Sequence, residues 1–136
     1  MPELRLTIPA IPPSVGHYLA YRVVTPRGRK PFVQCYHTAA AKEWFELVAR
    51  VAGPRKLRGA TYTISYAVYV GSKVCSDVDN YAKCIIDSIA EDHGAGVIDN
   101  DKNVVDLHCY RRLDRANPRT VIVIRTEQEG LFGGGA

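Results

Sequence analysis

Residues 77–89 read "DVDNYAKCIIDSI", and both the fold and the chemistry of the protein turn on them. Ala82, Ile85, Ile86 and Ile89 recur at i, i+3, i+4 and i+7, the stripe that an amphipathic helix buries. The spacing predicts a helix from Val78 to Asp92, ended by Gly94 and Gly96. Residues advance about 100° each around such a helix. Asp79, Lys83 and Asp87 therefore line one ridge beside the apolar stripe, and Asp77 stands just before or at the helix start. One reading is local. Ser76 or Asp77 caps the helix, Asp79 favours the positive end of its dipole, and Lys83 pairs with Asp79 and Asp87, each worth ~1 kcal/mol or less. The other is chemical. Asp77 and Asp79 offer carboxylate oxygen to a hard divalent cation such as magnesium, often held by one or two carboxylates with a phosphate completing its shell. Manganese accepts the same ligands. Lys83 then adds a point charge at the phosphate or orients the attacking water.

The surrounding charge gives the second reading its force. The chain has 136 residues and a net charge of +4. Residues 1–76 carry 11 basic and 3 acidic side chains, residues 77–106 carry 2 and 8, and residues 107–136 carry 5 and 3. An acidic island thus sits in a basic chain. A basic surface attracts a polyanion such as nucleic acid, and an acidic cluster repels that partner unless a cation neutralises it. The pattern points to metal-dependent chemistry on phosphates; the plain alternative is a solvated surface with scattered charge. A second acidic group, "GVIDNDKNVVD" at 96–106, holds Asp99, Asp101 and Asp106. A third carboxylate returned to the helix start would complete a metal site, a closure that spacing leaves open.

Working outward, Leu4, Leu6 and Ile8 alternate as a strand, and a proline-rich loop follows. "YLAYRVVT" and "KPFVQCYH" read as a hairpin around the cationic turn "PRGR". "HTAAAKEWFELVARVAG" reads as a helix capped by Thr38, with Trp44, Leu47, Val48 and Val51 inward and Gly53 at its end. "ATYTISYAVYV" places Tyr62, Ile64, Tyr66, Val68 and Val70 on one strand face, either core or interface. "VVDLHCY" and "TVIVIRT" are further strands. The expectation is a single α+β domain over 1–128, with a mixed, mainly antiparallel sheet and two main helices. A flexible tail is expected at 129–136. Hydrophobic residues make up 46% and charged residues 24%, an ordinary globular balance. No apolar run reaches membrane length and the start does not read as a signal peptide, so a cytoplasmic setting without membrane contact is expected. Cys35, Cys75, Cys84 and Cys109 form no CxxC pair and read as free thiols. Cys35 with His37, and His108 with Cys109, lack zinc-finger or ribbon spacing.

"DVDNYAKCIIDSI", a glycine-containing turn and "GVIDNDKNVVDLH" together resemble the RusA-type Holliday junction resolvases. That family carries acidic-x-acidic-Asn, a lysine four residues on, a helix with a further Asp, then "G-V/F-x-x-D-D-x-Q-V" and a strand. "IPAIPPSVGHY" is similar to its "PPS-x-N" segment, and the resemblance extends over most of residues 4–126. It implies a RusA-like fold and a magnesium-dependent homodimeric endonuclease that cuts four-way DNA junctions symmetrically, of bacterial or phage origin. Residue by residue it implies Asp77 and Asp79 as the first two catalytic carboxylates, Lys83 as the essential lysine, and Asp101 as the third carboxylate, with Asp99 the alternative. Asn100 stands where the first Asp of the family pair usually stands, and Gly16 where "PPS-x-N" has its Asn. Before the motif only Lys73 is basic, where relatives are richer in arginine. Arg22, Arg27, Arg29 and Lys30 on the hairpin, with His17, are the other candidates for DNA contact. Two further functions compete: a non-catalytic branched-DNA-binding protein on this scaffold, and a magnesium nuclease preferring flaps or other branched DNA.

Overall fold

Period-two alternation and helical stripes set the elements in chain order, and a computed structural model describes residues 2–73 and 75–127. Strand β1 (Glu3–Ile8) leads through the proline-rich loop to a single helical turn, α1 (Val15–Tyr18). β2 (Leu19–Val24) and β3 (Phe32–His37) form an antiparallel ribbon. Its turn holds Gly28 at φ 77°, a left-handed conformation open to a residue without Cβ. α2 (Ala39–Ala52) begins at Thr38, whose hydroxyl accepts the Ala41 N–H, and ends at Gly53. β4 (Tyr62–Val70) follows, then a 3-10 turn (Val78–Tyr81) running directly into α3 (Ala82–Ile89). A second 3-10 turn (Asp101–Asn103) opens β5 (Val104–Leu113), and β6 (Arg119–Thr126) comes last. The tail expected at 129–136 lies outside the described residues. No described helix is long and apolar enough to cross a membrane.

The fold is α+β, a single domain with a mixed sheet. The main sheet has the order β1-β6-β4-β5. β6 is antiparallel to β1 and to β4, whereas β4 and β5 are parallel. Parallel neighbours need a crossover rather than a hairpin, and the 3-10 turn with α3 supplies it. Tyr62, Ile64, Tyr66, Val68 and Val70 are all buried, in one cluster with Leu6, Ile8, Ile122, Ile124, Trp44, Val48, Ile85 and Ile89. The tyrosine-bearing strand is therefore central core, flanked by β5 and β6, and not an interface. Between the helices, the buried Trp44 indole donates to Ser88 Oγ at 3.0 Å, and Ser88 donates to the Ile85 carbonyl at 2.7 Å.

The motif helix departs from the expected 78–92. Its first turn is 3-10 and its α-helical part stops at Ile89. The chain reverses there: the Ala95 N–H binds the Ser88 carbonyl at 2.8 Å and the Ile98 N–H binds the Ile89 carbonyl at 3.1 Å. These late donors occupy carbonyls that a longer helix would use internally. Cys84, Ile85, Ser88 and Ile89 are buried, while Ala82 and Ile86 are only half-buried. The inward face is thus rotated toward Cys84 and Ser88 from the expected stripe, and burial pushes the Cys84 thiol up to about 12.

Gly94 makes the reversal possible, because a Cβ there would collide with the Asp87 and Ser88 backbone. Gly94→Ala is expected to cost ~1–3 kcal/mol of stability, read as a lowered urea midpoint; an unchanged midpoint would contradict this packing.

Candidate functional site

The crossover places Asp77 and Asp79 near the C-terminal end of β5. Asp77 occupies the cap position of the first 3-10 turn, with extended backbone, yet its side chain makes no capping hydrogen bond. The turn is closed instead by the backbone, Asn80 N–H to Asp77 carbonyl at 3.0 Å. Both carboxylates are exposed, and neither takes part in an ion pair among the described residues. They share a depression of about 510 Å³ with Val78, Cys109, Tyr110, Arg111 and Arg112. Tyr66 anchors the turn from beneath, donating its hydroxyl to the Val78 carbonyl at 2.6 Å. Burial, then the Cys109 thiol and the charge of Asp79, push that phenol well above its ordinary value, so it stays a donor. From the strand side, Arg111 Nη1 donates to the Ser76 carbonyl at 2.8 Å.

One to two turns farther along, Lys83 Nζ lies 3.3 Å from Asp87 Oδ2. Lys83 thus pairs with Asp87 as the local reading expected, whereas no ion pair to Asp79 forms. Asp101 is exposed in the second 3-10 turn and lines clefts with Lys83 and Asp87. Asn100, which departs from the family pattern, caps that turn by accepting the Lys102 N–H at 3.0 Å. Asp99 accepts from Asn103 Nδ2 at 3.2 Å. That hydrogen bond is the main reason its carboxyl is held below the usual carboxylate range.

A single chain does not gather the three carboxylates proposed as ligands. Asp101 faces Lys83 and Asp87, four and eight residues beyond Asp79, which is ~6–12 Å of helix rise. Two oxygens on one magnesium stand within about 4 Å of each other, given Mg–O distances of ~2 Å. Among the described residues no group of three His, Cys, Asp or Glu side chains could hold a metal ion. That covers the Cys35–His37 and His108–Cys109 pairs, and all four cysteines are free.

The candidate DNA cations fall in two places. Arg22, Arg27, Arg29 and Lys30 are exposed on the β2–β3 ribbon. Arg22 is already held, by Gln34 at 2.7 Å and over the Tyr36 ring at 4.8 Å. Lys73 is exposed in the loop before Asp77, and His17 lines a depression with Ser72, Cys75, Ser76 and Tyr81 of that region. The Pro-Pro-Ser segment therefore packs beside the motif loop. Arg111 and Arg112 were not anticipated. Their signal was the "RR" pair near the end of a strand, but only the β4–β5 register sets it beside Asp77 and Asp79.

A comparison with protein families agrees with this arrangement of elements. The family model for endodeoxyribonuclease RusA matches residues 22–125, about three quarters of the chain. The protein belongs to the RusA endodeoxyribonuclease family. The matched span runs from β2 into β6 and includes both acidic segments. No curated protein matches the chain closely enough to count as a relative. Membership of the RusA family indicates an endodeoxyribonuclease, a hydrolase of DNA phosphodiesters.

Arg111→Ala is expected to loosen the segment before Asp77 without unfolding the domain. Amide exchange at 76–78 should accelerate while global stability changes by less than ~1 kcal/mol. Unaltered exchange there would remove Arg111 as the tether.

Proposed function

We propose that this RusA-family protein is a magnesium-dependent endonuclease that resolves four-way DNA junctions as a homodimer. In this reading Asp77, Asp79 and Asp101 are its carboxylates and Lys83 its assisting cation, in an intracellular setting. The observation that carries the reading is the Asp77–Asp79 pair: exposed, unpaired by any described cation and flanked by Arg111 and Arg112 in one depression. Two free carboxylates suit magnesium, which keeps waters and takes phosphate oxygens for the rest of its shell. When bound, such an ion activates water and stabilises charge on the phosphate. The protein's own groups do the remainder. Arg111 and Arg112 offer guanidinium donors to the DNA backbone, and Lys83 adds positive charge one turn from Asp79.

Asp101 comes to this site from a second subunit. β5 is the outer strand of its sheet, and Val105, Leu107, Tyr110 and Leu113 are all at least 40% exposed on it. An unpaired apolar edge invites another strand. Antiparallel pairing of two β5 edges about a two-fold axis sets the start of each strand beside the end of the other. Each Asp101 then approaches the Asp77–Asp79 pair of the other chain, and symmetry creates two equal sites. Two matched sites are what symmetric junction cleavage requires.

Asp79→Asn should slow magnesium-dependent junction cleavage by roughly a hundredfold or more while salt-sensitive binding persists; cleavage at the wild-type rate would refute the assignment. Junction, flap and duplex substrates assayed side by side separate a resolvase from a flap nuclease. Absence of cutting on all three, with binding retained, would indicate a DNA-binding protein only.

Mixing chains tests the shared site. A heterodimer of Asp79→Asn and Asp101→Asn chains retains one intact site if the residues combine across subunits, and none if each chain closes its own. Recovery of junction nicking on mixing two inactive variants is the expected result, and no recovery would refute a site shared between subunits.

A further inference from the structure

We infer that Asp87 is a positioning residue for Lys83, itself oriented by a hydrogen-bond chain that starts at His37 and passes through Tyr18. The inference rests on the reading of Lys83 as the assisting cation.

Tyr18 is buried, at 1% exposure. Its hydroxyl lies 2.7 Å from Asp87 Oδ2 and 3.2 Å from His37 Nε2. A phenol has one proton to give, and an ionised carboxylate only accepts. That proton therefore goes to Asp87, and His37 donates its Nε2 proton to the Tyr18 oxygen. The chain has a single polarity, from His37 through Tyr18 to Asp87. Burial and the neighbouring Asp87 push the Tyr18 phenol well above its ordinary value, so the donor is retained.

The same Asp87 oxygen receives Lys83 at 3.3 Å. A buried hydroxyl thus sets the atom to which the lysine reaches. His37 is held in turn, stacked on Tyr18 with ring centroids 5.1 Å apart and against Phe45 at 5.0 Å. Four elements, α1, β3, α2 and α3, contribute to fixing one carboxylate. The Lys83 side chain is 55% exposed and that of Asp87 only 20%. A half-exposed lysine has large rotamer freedom, and an ordinary surface pair at this spacing restrains it weakly. An anchored acceptor limits where the ammonium can stand, one turn beyond Asp79.

A double-mutant cycle tests this on the full chain, with single-turnover junction cleavage at saturating protein and magnesium. Tyr18→Phe removes only the hydroxyl. It is expected to cut about tenfold more slowly, with junction affinity unchanged, and to add nothing in a Lys83→Ala background. Lysine-selective NMR of the metal-free protein gives a readout independent of cleavage: the Lys83 ammonium should become more mobile in Tyr18→Phe. Should Tyr18→Phe fail to fold, Asp87→Asn repeats both measurements with near-native shape. Equal rate losses with and without Lys83, or unchanged Lys83 mobility, would overturn the inference. A slow Lys83→Ala beside a wild-type-like Tyr18→Phe would overturn it while sparing the role of Lys83. Wild-type cleavage by Lys83→Ala would overturn both.

Discussion

Parallel pairing of β4 with β5 is the constraint on which the site depends. Two parallel neighbours cannot be joined by a tight turn, so the chain must leave the sheet at Val70 and travel back along it before β5 begins. The returning segment is the 3-10 turn and α3, which carry Asp77, Asp79, Lys83 and Asp87. Its direction puts the aspartate pair beside the end of β5, and Lys83 and Asp87 beside its beginning. The separation of Asp101 from Asp77 and Asp79 follows from that path.

Two electrostatic arrangements are stacked along the crossover. At one end, two nearby carboxylates are exposed and form no ion pair among the described residues, an arrangement that a divalent cation would neutralise. At the other, Asp87 is mostly covered and its Oδ2 is engaged by both a tyrosine and a lysine. The first arrangement suits binding something brought from outside. The second suits holding something already present. Residues of one type thus serve different purposes because their burial differs.

Much of the scaffold was legible from pattern. Alternation identified β1 and β4, and Thr38, Gly53 and the stripe between them identified α2, because caps and periodicity are local properties. The motif helix came out too long because its end is set by hydrogen bonds from residues 95 and 98, which no periodicity reports. Capping by Asp77 was a fair local expectation, but the 3-10 geometry closed the turn through backbone instead. At the site, the acidic pair and Lys83 stood out through type and spacing. Arg111, Arg112 and the Tyr18–Asp87 contact did not, since each depends on strand register or on residues 69 positions apart.

Local order along the chain was enough to name the acidic pair, the lysine one turn on and the strand that buries five alternating apolar side chains. Those are statements about neighbours on one helix or one strand, and covalent geometry enforces them. Which carboxylates stand together was decided by tertiary structure alone. That outcome depends on the direction in which a helix returns across a sheet and on which sheet edge stays open, and both are settled by burial of the whole core.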